Sequence, residues 1–138
     1  MNWKVISLAV LFVGAFLFGC ESDDEESHTH SHTHEQDVPK EYADRVNPFD
    51  GNAAAVAAGE QLFKTHCASC HGNTGKGNGP KAPATIPDWT IETDILTASD
   101  GMLYWHVAEG LTGTAMPAWK TTLSQDEIWQ VIAYIRTL

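Results

Sequence analysis

The chain is 138 residues long, which is room for about one domain of ordinary size. It carries 18 acidic and 8 basic residues, giving a formal net charge of −10, and residues 21–45 alone hold nine acidic side chains against two basic ones. A chain this acidic, with no cluster of Lys or Arg, lacks the positive surface that nucleic acids require, so a nucleic-acid binder is excluded.

The N-terminus carries an apolar run, "VISLAVLFVGAFLFGC", shortly after Lys4. About 14 apolar residues are too few for an ordinary membrane-spanning helix, which needs about 20, but they suit the core of an export signal. The end of the run, "LFGC", resembles the lipobox of bacterial lipoproteins. That resemblance implies a lipoprotein signal peptide over residues 1–19 and a lipidated Cys20 at the mature N-terminus. An ordinary signal peptide cut near Gly19 and an uncleaved anchor remain alternatives.

Residues 20–52 are acidic and rich in histidine, with few apolar side chains. Such a segment buries too little surface to offset the entropy of ordering, so it is predicted to be a flexible tether. Four histidines within it alternate with Ser and Thr, at positions 28, 30, 32 and 34. A solvated spacer is the expectation for this tract, and a weak accessory metal site is the alternative.

The folded domain is predicted over residues 53–138 and begins with a helix. Asn52 is a good N-cap, and the following "AAAVAAGEQLFKTH" is rich in strong helix formers, with Leu62 and Phe63 as apolar anchors. This helix runs directly into a cysteine motif.

The segment "HCASCHG", residues 66–72, carries the chemistry. In C-x-x-C-H, the two thiols can bind the two vinyl groups of one porphyrin while the adjacent imidazole binds its iron. A zinc site would need a further pair of ligands, and a thioredoxin-like dithiol normally follows a strand in a βαβ unit. The motif therefore favours one covalent haem c, with thioethers from Cys67 and Cys70 and with His71 as the proximal ligand.

Residues 72–90 are rich in Gly, Asn and Pro, which predicts a long irregular loop. A second helix is predicted over residues 99–109, with Ser99 as its N-cap and Gly110 just past its end. The segment "GLTGTAMPAWKTT" that follows is again a loop.

The last helix opens with a capping box, Ser124 and Glu127, and continues with apolar residues along one face. No segment shows the alternation typical of a strand. The domain is therefore predicted to be all-α.

A haem held by His71 needs a second axial ligand from the opposite side, and four side chains are candidates: Met116, Met102, His106 and His66. Met116 lies in "GTAMPAW", a loop able to pass across the haem face. His66 is too close to the attachment motif, and His106 is the main rival. Electron-transfer cytochromes prefer His/Met ligation, which favours Met116.

With these features, residues 53–138 resemble a class I monohaem cytochrome c of the small bacterial type. Gly59 and Phe63 resemble the glycine and the aromatic residue of the family's N-terminal helix. Tyr134 in "IAYIRTL" resembles the aromatic residue of the C-terminal helix that packs across that glycine. The resemblance implies a small cytochrome c fold, with three to five helices and long loops around one covalently bound haem.

The resemblance also implies roles in the long loop. Pro83 stands twelve residues after His71, where the family often has a proline whose carbonyl accepts the proton of the ligand imidazole. Two neighbouring prolines of the loop are alternatives. The family's tryptophan near a haem propionate has two candidates, Trp89 and Trp119.

The function implied is that of an electron carrier and not of an enzyme, because His/Met ligation fills both axial positions of the iron. The expected protein is exported, anchored by lipid to a membrane, and faces the periplasm or the extracellular side. It would carry single electrons between respiratory complexes, from a quinol-oxidising complex to a terminal oxidase or reductase. A fixed haem subunit of an oxidase, reductase or dehydrogenase complex and a ligand-binding haem sensor or enzyme are the alternatives.

Overall fold

A computed structural model of the chain describes residues 38–91, 95 and 97–138. These residues belong to one compact unit, Ser31–Leu138. The predicted signal peptide, Cys20 and the histidine tract lie outside the described residues. Within the described part, no helix is long and apolar enough to cross a membrane.

The secondary structure of the described residues is helical, with no β-strand among them, so the all-α prediction is confirmed. The helices whose bounds lie within the described residues are, in chain order, α1 (Lys40–Ala43), α2 (Ala53–His66), α3 (Ala68–His71), α4 (Asp100–Glu109) and α5 (Gln125–Ile135), and residues 95 and 97 are also helical.

The three longer helices begin where their caps predict. The Asn52 side chain accepts the backbone N–H groups of Ala54 and Ala55, at 3.0 and 3.1 Å, and so opens α2. Ser99 accepts the N–H of Met102 at 3.2 Å and opens α4. The predicted capping box opens α5.

Helices α2 and α5 form the main packing interface of the unit. A Cβ atom at Gly59 would lie 1.9 Å from the backbone oxygen of Gln130, so only glycine allows the two backbones to come this close. Phe63, one turn further along α2, is 0% exposed, and its ring lies 5.3 Å from that of Tyr134. The C-terminal helix therefore packs across Gly59, as the resemblance implies, with Gln130 at the point of contact and Tyr134 against Phe63.

Residues 38–52, here called the N-terminal strap, are packed onto the domain although the sequence predicts a tether over 20–52. Asn47 is buried: its amide nitrogen donates to the backbone oxygen of Trp129 at 3.0 Å, and its backbone N–H donates to Asp100 at 2.9 Å. Gly101 allows the strap to lie close to α4, because a Cβ there would be 2.0 Å from the backbone oxygen of Tyr42. The folded unit therefore includes residues that precede the predicted boundary at 53.

Candidate functional site

A single helical turn brings the residues of the cysteine motif together. The backbone N–H groups of Cys70 and His71 both donate to the backbone oxygen of Cys67, at 3.0 and 2.9 Å. Cys67 is the N-cap of α3, and Cys70 and His71 lie three and four residues later, positions that share one face of a helical turn. The two thiols are not joined in a disulfide.

Burial controls the chemistry of Cys67. Loss of contact with water raises the pKa of its thiol to about 12, so the thiol stays protonated at neutral pH. A reactive dithiol requires the thiolate at neutral pH. The environment of Cys67 therefore disfavours a reactive dithiol.

His71 is held by aromatic contacts. Its ring stacks on Trp89 with centroids 4.3 Å apart and an interplanar angle of 28°. Burial lowers the pKa of His71 to about 4, which keeps the imidazole neutral, the form that binds a metal. The buried Nδ1 atom has no hydrogen-bond partner among the described residues.

Pro83 lies on the exposed part of the loop that follows the motif. Its carbonyl accepts the backbone N–H of Ile86 at 3.1 Å, and no hydrogen bond joins it to His71 in the described structure. The proposed pairing of Pro83 with the His71 imidazole stays a prediction.

The start of this loop folds back against α3. The backbone N–H of Gly77 donates to the oxygen of His71 at 2.9 Å, and that of Gly79 donates to the oxygen of Cys70 at 3.1 Å. A Cβ at Gly79 would lie 2.4 Å from the backbone oxygen of Ser69, so a side chain would push the loop away. The glycines predicted to interrupt a helix here also tie the loop to the motif.

The segment that carries Met116 is attached to the C-terminal end of α4. Gly110 ends α4 with φ +73°, and a Cβ there would lie 2.7 Å from the backbone oxygen of Met116. After Met116, the backbone N–H groups of Trp119 and Lys120 donate to carbonyls of the last turns of α4, each at 3.1 Å. Residues 110–119, here called the Met116 loop, therefore leave α4 and return to it.

The Met116 loop lies beside the cysteine motif. The ring of His66, the residue before Cys67, meets the ring of Trp119 edge-on, with centroids 5.3 Å apart. Met116 and Cys67 are both half-buried and pack against the same apolar core. The sequence assigned His66 no function, and its long-range contact with Trp119 has no local signal that could have revealed it.

The rival ligand His106 lies on α4, one turn before Gly110. Its Nε2 atom is buried without a hydrogen-bond partner in the described part of the chain, and burial lowers the pKa of the ring. A buried polar nitrogen without a partner costs about 1–3 kcal/mol. Two free thiols beside a buried, neutral imidazole are the donor set of a covalent haem c, so the residues present fit a haem.

Sequence comparison relates the chain to two groups of proteins. Residues 54–135 match the family described as "Cytochrome C oxidase, cbb3-type, subunit III". The chain is 32% identical over 90 residues to the cbb3-type cytochrome c oxidase subunit FixP of Azorhizobium caulinodans, covering 64% of this chain and 29% of FixP. It is 35% identical over 89 residues to cytochrome c6 of Tetradesmus obliquus, covering 60% of this chain and 90% of that protein. The chain thus spans less than a third of this FixP and nearly all of this cytochrome c6.

Solved structures show the same similarity. Cytochrome cL from the marine methylotrophic bacterium Methylophaga aminisulfidivorans superposes with a TM-score of 0.55 at 28% identity, covering 67% of this chain and 60% of that one. A chain of the Kuenenia stuttgartiensis reducing HAO-like protein complex gives a TM-score of 0.52 at 26% identity, covering 62% of this chain and 44% of that one.

Proposed function

We propose that this chain is a carrier of single electrons and not an enzyme. The chain belongs to the cytochrome c family described as cytochrome c oxidase, cbb3-type, subunit III, and this membership is the basis of the proposal. Membership confirms the small all-α cytochrome c fold that the sequence predicts. It also confirms the cofactor, since proteins of this family bind one covalent haem c.

The observation that carries the proposal is the single turn of α3. It presents Cys67 and Cys70 beside a buried, neutral His71. In the proposed site the two cysteines would hold the haem through thioethers, and His71 and Met116 would bind its iron. When bound, the haem supplies a one-electron couple between ferrous and ferric iron.

The protein's own side chains fix and shield this site. Trp89 stacks on His71 and restricts rotation of its ring, a restraint that metal-bound imidazoles usually receive from outer contacts. Pro83 is the proposed hydrogen-bond acceptor for His71 Nδ1. With His71 and Met116 both bound to it, the iron would have no place for a substrate, which supports electron transfer over catalysis.

We infer that the carrier is exported and anchored to a membrane. The supporting feature is the sequence "LFGC" after an apolar run, which resembles a lipobox. On this proposal residues 1–19 are a lipoprotein signal peptide and Cys20 is the lipidated residue. The proposed electron donor is a quinol-oxidising complex, and the proposed acceptor is a terminal oxidase or reductase. The match to oxidase subunits supports a respiratory partner.

A second candidate function is that of a fixed subunit of an oxidase complex. The FixP relative, named as an oxidase subunit, favours it, whereas the near-complete coverage of cytochrome c6 favours a separate carrier. Gentle detergent extraction followed by purification of the tagged chain separates the two. A stoichiometric oxidase in the eluate would establish the fixed subunit, and a chain that elutes alone would support the carrier.

The spectrum of the purified protein tests the site. We expect a haem band that survives acid-acetone extraction and, in the ferric form, the weak red band of methionine ligation. Met116→Leu should abolish the red band, and the matched variant Met102→Leu should retain it. A wild-type protein without this band would overturn Met116 as a ligand and favour His106.

The mass of the mature protein tests the anchor. We expect a chain that begins at Cys20 and carries added acyl groups, and we expect Cys20→Ser to remove them together with membrane association. An unmodified mature N-terminus in the wild type would contradict the lipid anchor.

A further inference from the structure

The carboxylate of Glu109, the last residue of α4, joins two segments that are distant in sequence. One of its oxygens accepts a hydrogen bond from the hydroxyl of Tyr42 in the N-terminal strap. The other accepts from the ammonium of Lys120 at 2.5 Å. Both oxygens of one carboxylate are therefore used to connect the strap, α4 and the segment after the Met116 loop.

The Glu109–Lys120 pair lies across the neck of the Met116 loop. Glu109 immediately precedes Gly110, where the loop leaves α4, and Lys120 immediately follows Trp119, where the loop returns. The backbone N–H of Lys120 also donates to the oxygen of Ala108 at 3.1 Å. The ion pair thus fastens the two ends of the loop to each other.

Tyr42 is itself held firmly enough to act as an anchor. The Arg45 guanidinium lies 4.7 Å above the ring of Tyr42 and 4.8 Å above that of Tyr104 in α4. The rings of Tyr42 and Tyr104 stack with centroids 6.1 Å apart. The strap thus fixes the Tyr42 hydroxyl beside the C-terminal end of α4.

Charge supports the same arrangement. The hydrogen bond to Glu109 raises the pKa of Tyr42 to about 12, so the hydroxyl stays a donor at neutral pH. Lys120 and Tyr42 lower the pKa of Glu109, so its carboxylate stays ionised. The donors and the acceptor keep these protonation states across the physiological range.

We propose that Tyr42, Glu109 and Lys120 are positioning residues that hold the Met116 loop closed, so that the N-terminal strap controls how firmly Met116 is kept at its site. This inference rests on the proposed function, because it concerns the loop that supplies the proposed ligand. It adds a role for residues that precede the haem-binding domain predicted from the sequence.

Amide hydrogen exchange in the full-length haem protein tests the proposal directly. In Tyr42→Phe and in Glu109→Gln, the amides of Trp119 and Lys120 should exchange about two- to fivefold faster than in the wild type, the effect expected for loss of one partly exposed pair. Glu60→Gln is the matched control, because Glu60 pairs with Lys64 on α2 at 2.7 Å with similar exposure. The control should leave these amides unchanged.

Added imidazole gives a second measurement, because it competes for the iron whenever the loop opens. We measure the affinity for imidazole by the loss of the red band. It should rise about two- to fivefold in Tyr42→Phe and in Glu109→Gln and stay unchanged in Glu60→Gln. Exchange rates and affinities equal to those of the wild type in both variants would overturn the proposal that Tyr42, Glu109 and Lys120 hold the Met116 loop.

The two proposals fail in different ways. A wild-type protein without the red band would overturn Met116 as a ligand. The exchange rates of the Trp119 and Lys120 amides would still show whether Tyr42, Glu109 and Lys120 hold the Met116 loop. If the wild-type protein shows the band but amide exchange is unchanged in both variants, only the proposal about the Met116 loop is overturned.

Discussion

Gly110 shows what a single residue contributes to the site. Its φ of +73° is a backbone conformation that L side chains rarely adopt, and its missing side chain leaves room for the backbone of Met116 and Pro117. The same glycine therefore ends α4 and allows the Met116 loop to pass directly over that end.

We predict that Gly110→Ala destabilises the protein and weakens methionine ligation. The backbone conformation of Gly110, with φ +73° and ψ −175°, is essentially restricted to glycine and costs an L residue about 1–3 kcal/mol, and the new Cβ would also meet the backbone oxygen of Met116 at 2.7 Å. Gly113→Ala is the matched control, since Gly113 has φ +78° and open space around it. Denaturant unfolding and the red band measure the two effects. Equal losses in both variants would show that the contact with Met116 contributes nothing.

At the scale of helices, the interface between α2 and α5 places the cysteine motif. Helix α2 ends at His66, directly before Cys67, so the position of α2 determines where the motif begins. Gly59 sets the distance between the two helices, and Phe63 and Tyr134 fill the next turn. Packing against α5 therefore fixes the position of the turn that carries the proposed haem-attachment cysteines.

We predict that Gly59→Ala destabilises the protein by about 1–3 kcal/mol, because the Cβ would overlap the backbone of Gln130 and the helices would have to separate. In an exposed helical position the same change stabilises, by about 1 kcal/mol. The sign of the effect is thus diagnostic in denaturant unfolding. Ala57→Gly, at an exposed position of α2, reports helix propensity alone and should cost about 1 kcal/mol. A stabilised Gly59→Ala protein would contradict the close packing.

The N-terminal strap is the element that most enlarges the folded unit. We predict that Asn47→Ala destabilises the protein by about 1–3 kcal/mol, because it removes two hydrogen bonds of a buried amide, one donated to the backbone oxygen of Trp129 and one accepted from the backbone N–H of Phe49. The neighbouring variant Val46→Ala should have little effect, since Val46 is 75% exposed. Denaturant unfolding compares the two. Wild-type stability in Asn47→Ala would mean that the strap does not contribute to folding.

For the whole molecule, capping residues close to each helix start predict the long helices. The feature that the sequence does not reveal, the packed N-terminal strap, depends on contacts between residues far apart in the chain. Asn52, Ser99 and Ser124 cap their helices through residues two or three positions away, so each start is visible in a short window. The strap is not visible in this way, because α1 has four residues and Asn47 is fixed by Trp129, 82 positions later. The cysteine motif is likewise visible in a few consecutive residues. The contacts around Met116 form only when the chain folds back on α4, so a short window of sequence does not reveal them.

Asp100 connects the N-terminal strap with a residue near the C-terminus, which determines how the folded unit bears a pulling force. One of its carboxylate oxygens accepts the backbone N–H of Asn47 at 2.9 Å, and the other accepts the guanidinium of Arg136, near the C-terminus, at 3.0 Å. A force applied to the chain before residue 38 is therefore borne first by the anchors at Tyr42 and Asn47. The pull is passed to α4 and α5 before it reaches α2 and the cysteines. With these anchors, the strap would bear tension on the N-terminal chain before the cysteine motif does.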